Sequence, residues 1–129
     1  MHENDISQAV IGAAIEVHKI LGPGLLQSIY EQALCYELEL REAPCRRRVP
    51  VPVRFKDRQM DDELWLDLLV DDKVIVMVRA AENLNPFFKV LLLTQLRLAD
   101  KRLGLLLNFN VMVLKQGIHR VVNGLKEGI

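Results

Sequence analysis

The chain has 129 residues and a mass of 14.8 kDa, and 50% of its residues are hydrophobic against 26% charged, the length of one domain and a balance that excludes wholesale disorder. Lys plus Arg and Asp plus Glu number 17 each, giving a net charge of +0, which argues against a surface that binds nucleic acid all over. No apolar run reaches the roughly 18 residues of a membrane span, and the polar opening Met1-His2-Glu3-Asn4-Asp5 does not read as a secretory signal, so the expectation is one cytoplasmic domain over residues 1–129 with no membrane attachment.

Residues 5–21 predict a helix, because Ile6, Ala9, Val10, Ala13, Val17, Ile20 and Leu21 recur at three- and four-residue steps. Asn4, Asp5 or Ser7 would cap it, and Gly22-Pro23-Gly24 would end it, since proline cannot continue the hydrogen-bond ladder. A second helix is expected over about 25–42, with Leu26, Ile29, Tyr30, Ala33, Leu34 and Leu38 buried, Tyr30 and Tyr36 packed, and Ala43-Pro44 as its breaker. Cys35 and Cys45 form no C-x-x-C motif and read as reduced thiols.

Val49, Val51, Val53 and Phe55 alternate with Pro50 and Pro52, the pattern of an edge strand whose prolines need no ladder partner. Residues 56–62 read as a polar turn. Leu64–Val70 and Val74–Val78 form a hairpin through Asp71-Asp72-Lys73, with Trp65 packed under a helix. A third helix is expected over 84–99, then a buried strand Gly104–Phe109, an extended continuation Asn108–Leu114, and a turn with a last short strand over 115–122. The order α-α-β-β-β-α-β, with a further β, gives an α/β fold.

Three stretches together resemble a known family. They are Ile11-Gly12-Ala13-Ala14-Ile15-Glu16-Val17-His18 with Leu21-Gly22-Pro23-Gly24-Leu25-Leu26-Gln27-Ser28-Ile29-Tyr30-Glu31; Leu66-Asp67-Leu68-Leu69-Val70 with Asp72-Lys73-Val74-Ile75-Val76; and Leu103-Gly104-Leu105-Leu106-Leu107-Asn108-Phe109. They resemble the bacterial GxxExxY family of the PD-(D/E)XK nuclease-like superfamily, from about residue 5 to 122. The resemblance implies a restriction-endonuclease-like core, a mixed sheet flanked by helices. It also implies a site in which carboxylates hold Mg²⁺, which activates water and neutralises charge on phosphate, while a lysine assists.

Carried over residue by residue, the resemblance places Glu16 at the helix carboxylate and Asp67 at the strand carboxylate. The expected Glu-x-Lys pair reads Met77-Val78-Arg79. Methionine is a poor ligand for a hard cation, and arginine keeps its charge but exchanges no proton near pH 7. The supporting helix glutamine is Leu91, the preceding His-Glu is Phe88-Lys89, and the namesake glutamate is Gln27; Glu82 lies past the strand. Glu16, Asp67 and Arg79 are therefore vestigial catalytic candidates, of which Glu16 and Asp67 are the candidates for weak metal binding. The competing reading is that Asp67 caps a buried turn. A degenerate site without cofactor is the expectation; a Mg²⁺-dependent DNA nuclease is the alternative.

Leu84, Phe87, Phe88, Val90, Leu91, Leu92, Leu93, Leu96 and Leu98 cover nearly the whole wheel of the third helix, interrupted by Lys89, Thr94, Gln95 and Arg97. A helix apolar all round is covered on all sides, and one sheet covers only one. The expectation is a homo-oligomer or partner subunit, with Met77, Leu84, Phe87, Phe88, Val90, Leu91 and Leu92 at the interface; a filled cleft and a ligand pocket are the alternatives. Such residues on an intact framework arise by decay of an enzyme into a structural protein or by engineering of an interface onto a scaffold, and both stay open. Arg46, Arg47 and Arg48 are the one basic run. They read as a solvated strand edge, with contact to a phosphate backbone as the alternative. His2, His18 and His119 suggest no metal trio.

Overall fold

The apolar spacing of the first forty residues closes into two helices, α1 (Glu3–Leu21) and α2 (Gln27–Leu40), in the computed structural model, which describes residues 1–125. The last four residues of the expected domain lie outside the described residues. α1 begins two residues earlier than its apolar pattern, because His2 rather than Asn4, Asp5 or Ser7 is the N-cap: its Nδ1 accepts the Asn4 amide at 3.0 Å. Gly22 and Gly24 sit at φ +71° and +98°, backbone that side chains rarely adopt, so the Gly-Pro-Gly turn reverses the chain as its sequence demands. Tyr30 locks that turn. Its ring is fully buried and stacked on Phe109 at 4.6 Å, while its hydroxyl donates to the Gly22 carbonyl at 2.5 Å and accepts the Leu25 amide at 3.1 Å. Tyr36, expected to pack, is instead exposed on the outer side of α2.

Strands β1 (Cys45–Phe55), β2 (Arg58–Val70), β3 (Val74–Arg79), β4 (Leu103–Asn108) and β5 (Ile118–Val122) form one mixed sheet in the order β1-β2-β3-β4-β5. β3 and β4 pair parallel and the other neighbours antiparallel. The parallel pair needs a crossover, supplied by α3 (Phe87–Ala99). α1 and α2 pack on one face of the sheet against Val74, Val76, Val78, Leu103, Leu105 and Leu107. α3 packs on the other, against Ile75, Met77 and Leu106. Every residue of β4 is buried, as a central strand covered on both faces requires. Gly104 is part of this fit, because a Cβ there would meet the Leu92 side chain of α3 at 2.9 Å. The α/β mixed sheet flanked by helices is thus the architecture observed.

Three boundaries differ from the sequence expectation, each for a local reason. β1 and β2 continue through much of the polar stretch 56–62, pairing Arg54 with Gln59 and Phe55 with Arg58, so the turn shrinks to Lys56-Asp57. α3 starts at Phe87 rather than 84, because Pro86 disfavours helical backbone at the residue before it, and the Asn85 side chain accepts the Phe87 amide at 2.9 Å. The chain does not stay extended over 108–114. Asn108 turns its side chain onto the backbone of Ala81 and Asn110, and a 3-10 turn (Leu114–Gly117) follows. Trp65, expected under a helix, is 54% exposed and faces Pro50 across the ladder, because Leu64 and Leu66 beside it take the face that α3 covers and leave Trp65 on the other.

Replacing Tyr30 by Phe removes one hydroxyl and leaves the Gly22 carbonyl and the Leu25 amide without their partner. Chemical denaturation should show a loss of about 1–2 kcal/mol with the fold retained.

Candidate functional site

The residues around Asp67 are organised by a change of facing in β2. In a regular strand, residues 66, 68 and 70 share a face. Here Leu68 and Val70 pack with α1 and α2, whereas Leu66 packs with Val49 and Val51 toward α3. The strand therefore rotates about Asp67. The opposite strand yields at the same level: the ladder pairs Arg47 with Leu68 and Val49 with Leu66, and Arg48 between them adopts φ +52°. On the other side, β2 and β3 pair only from Leu68↔Val76 to Val70↔Val74. Beyond that point the Val78 amide has no backbone partner on β2. It donates instead to Asp67 Oδ2 at 3.0 Å.

The same Asp67 Oδ2 accepts Arg79 Nη1 at 2.9 Å, and that nitrogen also donates to the Val78 carbonyl at 2.7 Å. The side chains of Arg79 and Asp67 are only 17% and 23% exposed. Phe88, from the first turn of α3, lies under the guanidinium, 4.6 Å from ring centre to Cζ, a cation–π contact favoured by partial burial. Burial is the largest influence on the Asp67 carboxyl and pushes its pKa up; the Val78 amide and Arg79 pull it back, and Glu31 pushes it up further.

Glu31 is the carboxylate that sequence reasoning missed. It lies on α2, is 5% exposed, and accepts Gln27 Nε2 at 2.9 Å and Arg47 Nη2 at 3.2 Å. The signal was available: residues 27, 31, 34 and 38 fall on one helical face, and Leu34 and Leu38 are core. A glutamate in that stripe must find a partner inside. Its partner is the middle arginine of the basic run, whose Nε is buried without a hydrogen bond. Two arginine–carboxylate pairs, Arg47–Glu31 and Arg79–Asp67, thus stand beside one another at the rotation of β2.

The other expected site residues are placed as follows. Glu16 does not look toward Asp67. It is half-buried on the outer side, in a groove between α1 and α2 lined by Val17, Ile20, Tyr36 and Leu40. Met77 is 1% exposed and Leu92 fully buried, in one cluster with Ile75 and Leu96; both are core residues within the chain and no longer interface candidates. Leu84, Phe88 and Leu91 pack half-buried on that cluster, while Phe87 and Val90 are exposed. Arg46 is exposed and paired with Asp72 at 3.3 Å. Arg48 is exposed, as is Glu82. His18, read as lying on the polar side of α1, ties that helix to the loop after β4 through Nε2 and the Val111 carbonyl at 2.8 Å.

A magnesium ion requires several oxygen ligands free to face it. Asp67 is engaged by a guanidinium and an amide, Glu31 by a guanidinium and a carboxamide, and position 77 offers a buried thioether. Among the described residues no group of three or more His, Cys, Asp or Glu could hold a metal ion. The residues present do not fit the ion.

A family model described as the PD-(D/E)XK nuclease superfamily matches residues 4–121. No curated protein and no solved structure matches the chain. Among the described residues no helix is long and apolar enough to cross a membrane.

The geometry sets a sign for Asp67→Ala. Removing the carboxylate leaves the Arg79 charge and the Val78 amide without their acceptor, so stability should fall by about 1–3 kcal/mol in urea denaturation. A carboxylate held in an unneutralised acidic site would give the opposite, an unchanged or more stable variant.

Proposed function

The chain belongs to the PD-(D/E)XK nuclease superfamily, and from that premise we propose that it is a non-catalytic member, a structural domain whose metal site has become a closed ion-pair cluster and which assembles with copies of itself. Within the superfamily it resembles the GxxExxY family through Gly24 and Tyr30 and the segments around Asp67 and Gly104, with Gln27 in place of the namesake glutamate. The observation that carries the reading is the Asp67–Arg79 contact at 2.9 Å. The carboxylate that would bind a cation already holds one, supplied by the position at which the superfamily pattern has lysine.

Two features support the loss of catalysis. Met77 cannot replace a carboxylate ligand and is sealed beneath α3 with Leu92 and Leu96. Arg79 cannot serve as a proton donor or acceptor near neutral pH. The filled-cleft and interface readings of the third helix then divide its residues between them. Met77, Phe88, Leu91 and Leu92 fill the cleft side. Phe87, Val90 and Leu98, at 61%, 53% and 41% exposure, form an outward stripe at helical spacing with Thr94. That stripe is the proposed contact between copies, and its physics is the same whether drift or engineering placed the apolar residues there. Contact of Arg46–Arg48 with nucleic acid is the weaker reading, since Arg46 and Arg47 are already paired with Asp72 and Glu31.

Incubated with plasmid and single-stranded DNA and either Mg²⁺ or Mn²⁺, the protein should show no metal-dependent cleavage. Cutting that Asp67→Ala abolishes would establish the nuclease reading instead. Light scattering after size exclusion should give a discrete oligomer that Phe87→Glu with Val90→Glu converts to monomer. A monomeric parent protein would remove the assembly half of the proposal.

A further inference from the structure

The seam between α2 and β1 contains a second pair of groups that the ion-pair cluster does not use. Cys35 is buried on α2 and Cys45 is the half-buried first residue of β1. Cys35 Sγ donates to the Cys45 carbonyl at 3.3 Å. The placement follows from the two periodicities. Cys35 lies one helical turn beyond Glu31, and Cys45 lies two residues before Arg47, on the same side of its strand. The seam therefore has two adjacent rungs, Glu31–Arg47 and Cys35–Cys45.

We propose that Cys35 and Cys45 are a redox modification site, a dithiol that closes to an intramolecular disulfide by exchange with a small disulfide such as oxidised glutathione. A disulfide needs its two sulfurs in mutual contact across Cα atoms a few ångströms apart, and Cys35 Sγ already reaches the Cys45 backbone at 3.3 Å. In the first step the thiolate of one cysteine attacks glutathione disulfide, forming a protein–glutathione disulfide and releasing one glutathione thiolate. In the second, the other cysteine's thiolate attacks the protein sulfur of that mixed disulfide and releases the second. The protein loses two electrons and two protons, and one glutathione disulfide becomes two glutathiones. Burial and the neighbouring Cys35 both push the Cys45 thiol up, as two crowded sulfurs should. Cys45 begins an edge strand, and only the short Arg41–Pro44 connection separates it from α2, so closure joins two segments that are already in contact.

The test uses the full native chain. After incubation with oxidised glutathione, the protein is unfolded in iodoacetamide and weighed by mass spectrometry. The expected product has lost two hydrogens, carries no alkyl group, and yields a non-reduced digest in which the peptides containing residues 35 and 45 are joined. Cys35→Ser and Cys45→Ser should each stop at one glutathione adduct or one alkyl group. Two alkyl groups on the native chain after prolonged incubation would overturn the proposal. So would a stable glutathione adduct on the parent protein, or a disulfide between chains. A parallel sample oxidised in urea, which must close, confirms that the reagent and detection work.

Discussion

The local architecture around the site depends on the rotation of β2 at Asp67. Because the strand turns there, its hydrogen bonds to β3 end at Leu68↔Val76, and the freed Val78 amide needs an acceptor in a region the helices keep from water. Asp67 supplies it. Once the carboxylate is committed to the amide, its remaining charge must be neutralised, because burial already pushes its pKa up. A divalent cation or a fixed positive side chain can do this. Arg79 is the fixed one here, two residues along β3 from the sealed Met77 and braced against Phe88.

The same logic organises the neighbouring pair. Glu31 and Asp67 repel each other, and two nearby carboxylates without compensation would draw protons or a metal. Arg47 and Arg79 divide that task. Buried pairs of this kind add little net stability, because desolvation offsets attraction, yet removing one partner is costly. They hold α2 to β1 and β2 to β3 in one arrangement, and the apolar cluster of Met77, Leu92 and Leu96 closes the α3 side. Elsewhere Glu3 is held in a similar way: it is buried at the start of α1, and two hydrogen bonds from Arg102, at 2.9 and 3.0 Å, pull its carboxyl below the usual range.

Much of the fold was legible because it rests on periodicity. The seven-residue apolar stripe of α1, the alternating valines of β1 and the unbroken Leu103–Leu107 run of β4 each have one good structural solution. The edge position of β1 followed from Pro50 and Pro52. Asp67 and Arg79 were legible as a pair of positions, but their contact was not, because it depends on where the β2–β3 ladder stops. Glu31 was missed and Glu16 chosen in its place, since both lie near an apolar helical stripe. Which of them faces the sheet is decided by how α1 and α2 cross it, and that is tertiary information. Met77 and Leu92 were read as interface for a related reason: an apolar strand or helix pattern shows that a face is covered, not which neighbour covers it. Trp65 and Tyr36 erred in the other direction, because an aromatic side chain does not say whether its own face of the hairpin or helix is covered.

The central claim is that Asp67 is already neutralised by Arg79 and so does not wait for a metal. The most direct measurement is a crystal structure grown in millimolar Mn²⁺, with the metal located by its anomalous scattering. The account predicts no manganese near Asp67, and Arg79 Nη1 still on its Oδ2 oxygen. A manganese peak between Asp67 and Glu31, with the Arg79 guanidinium swung off Phe88, would contradict it.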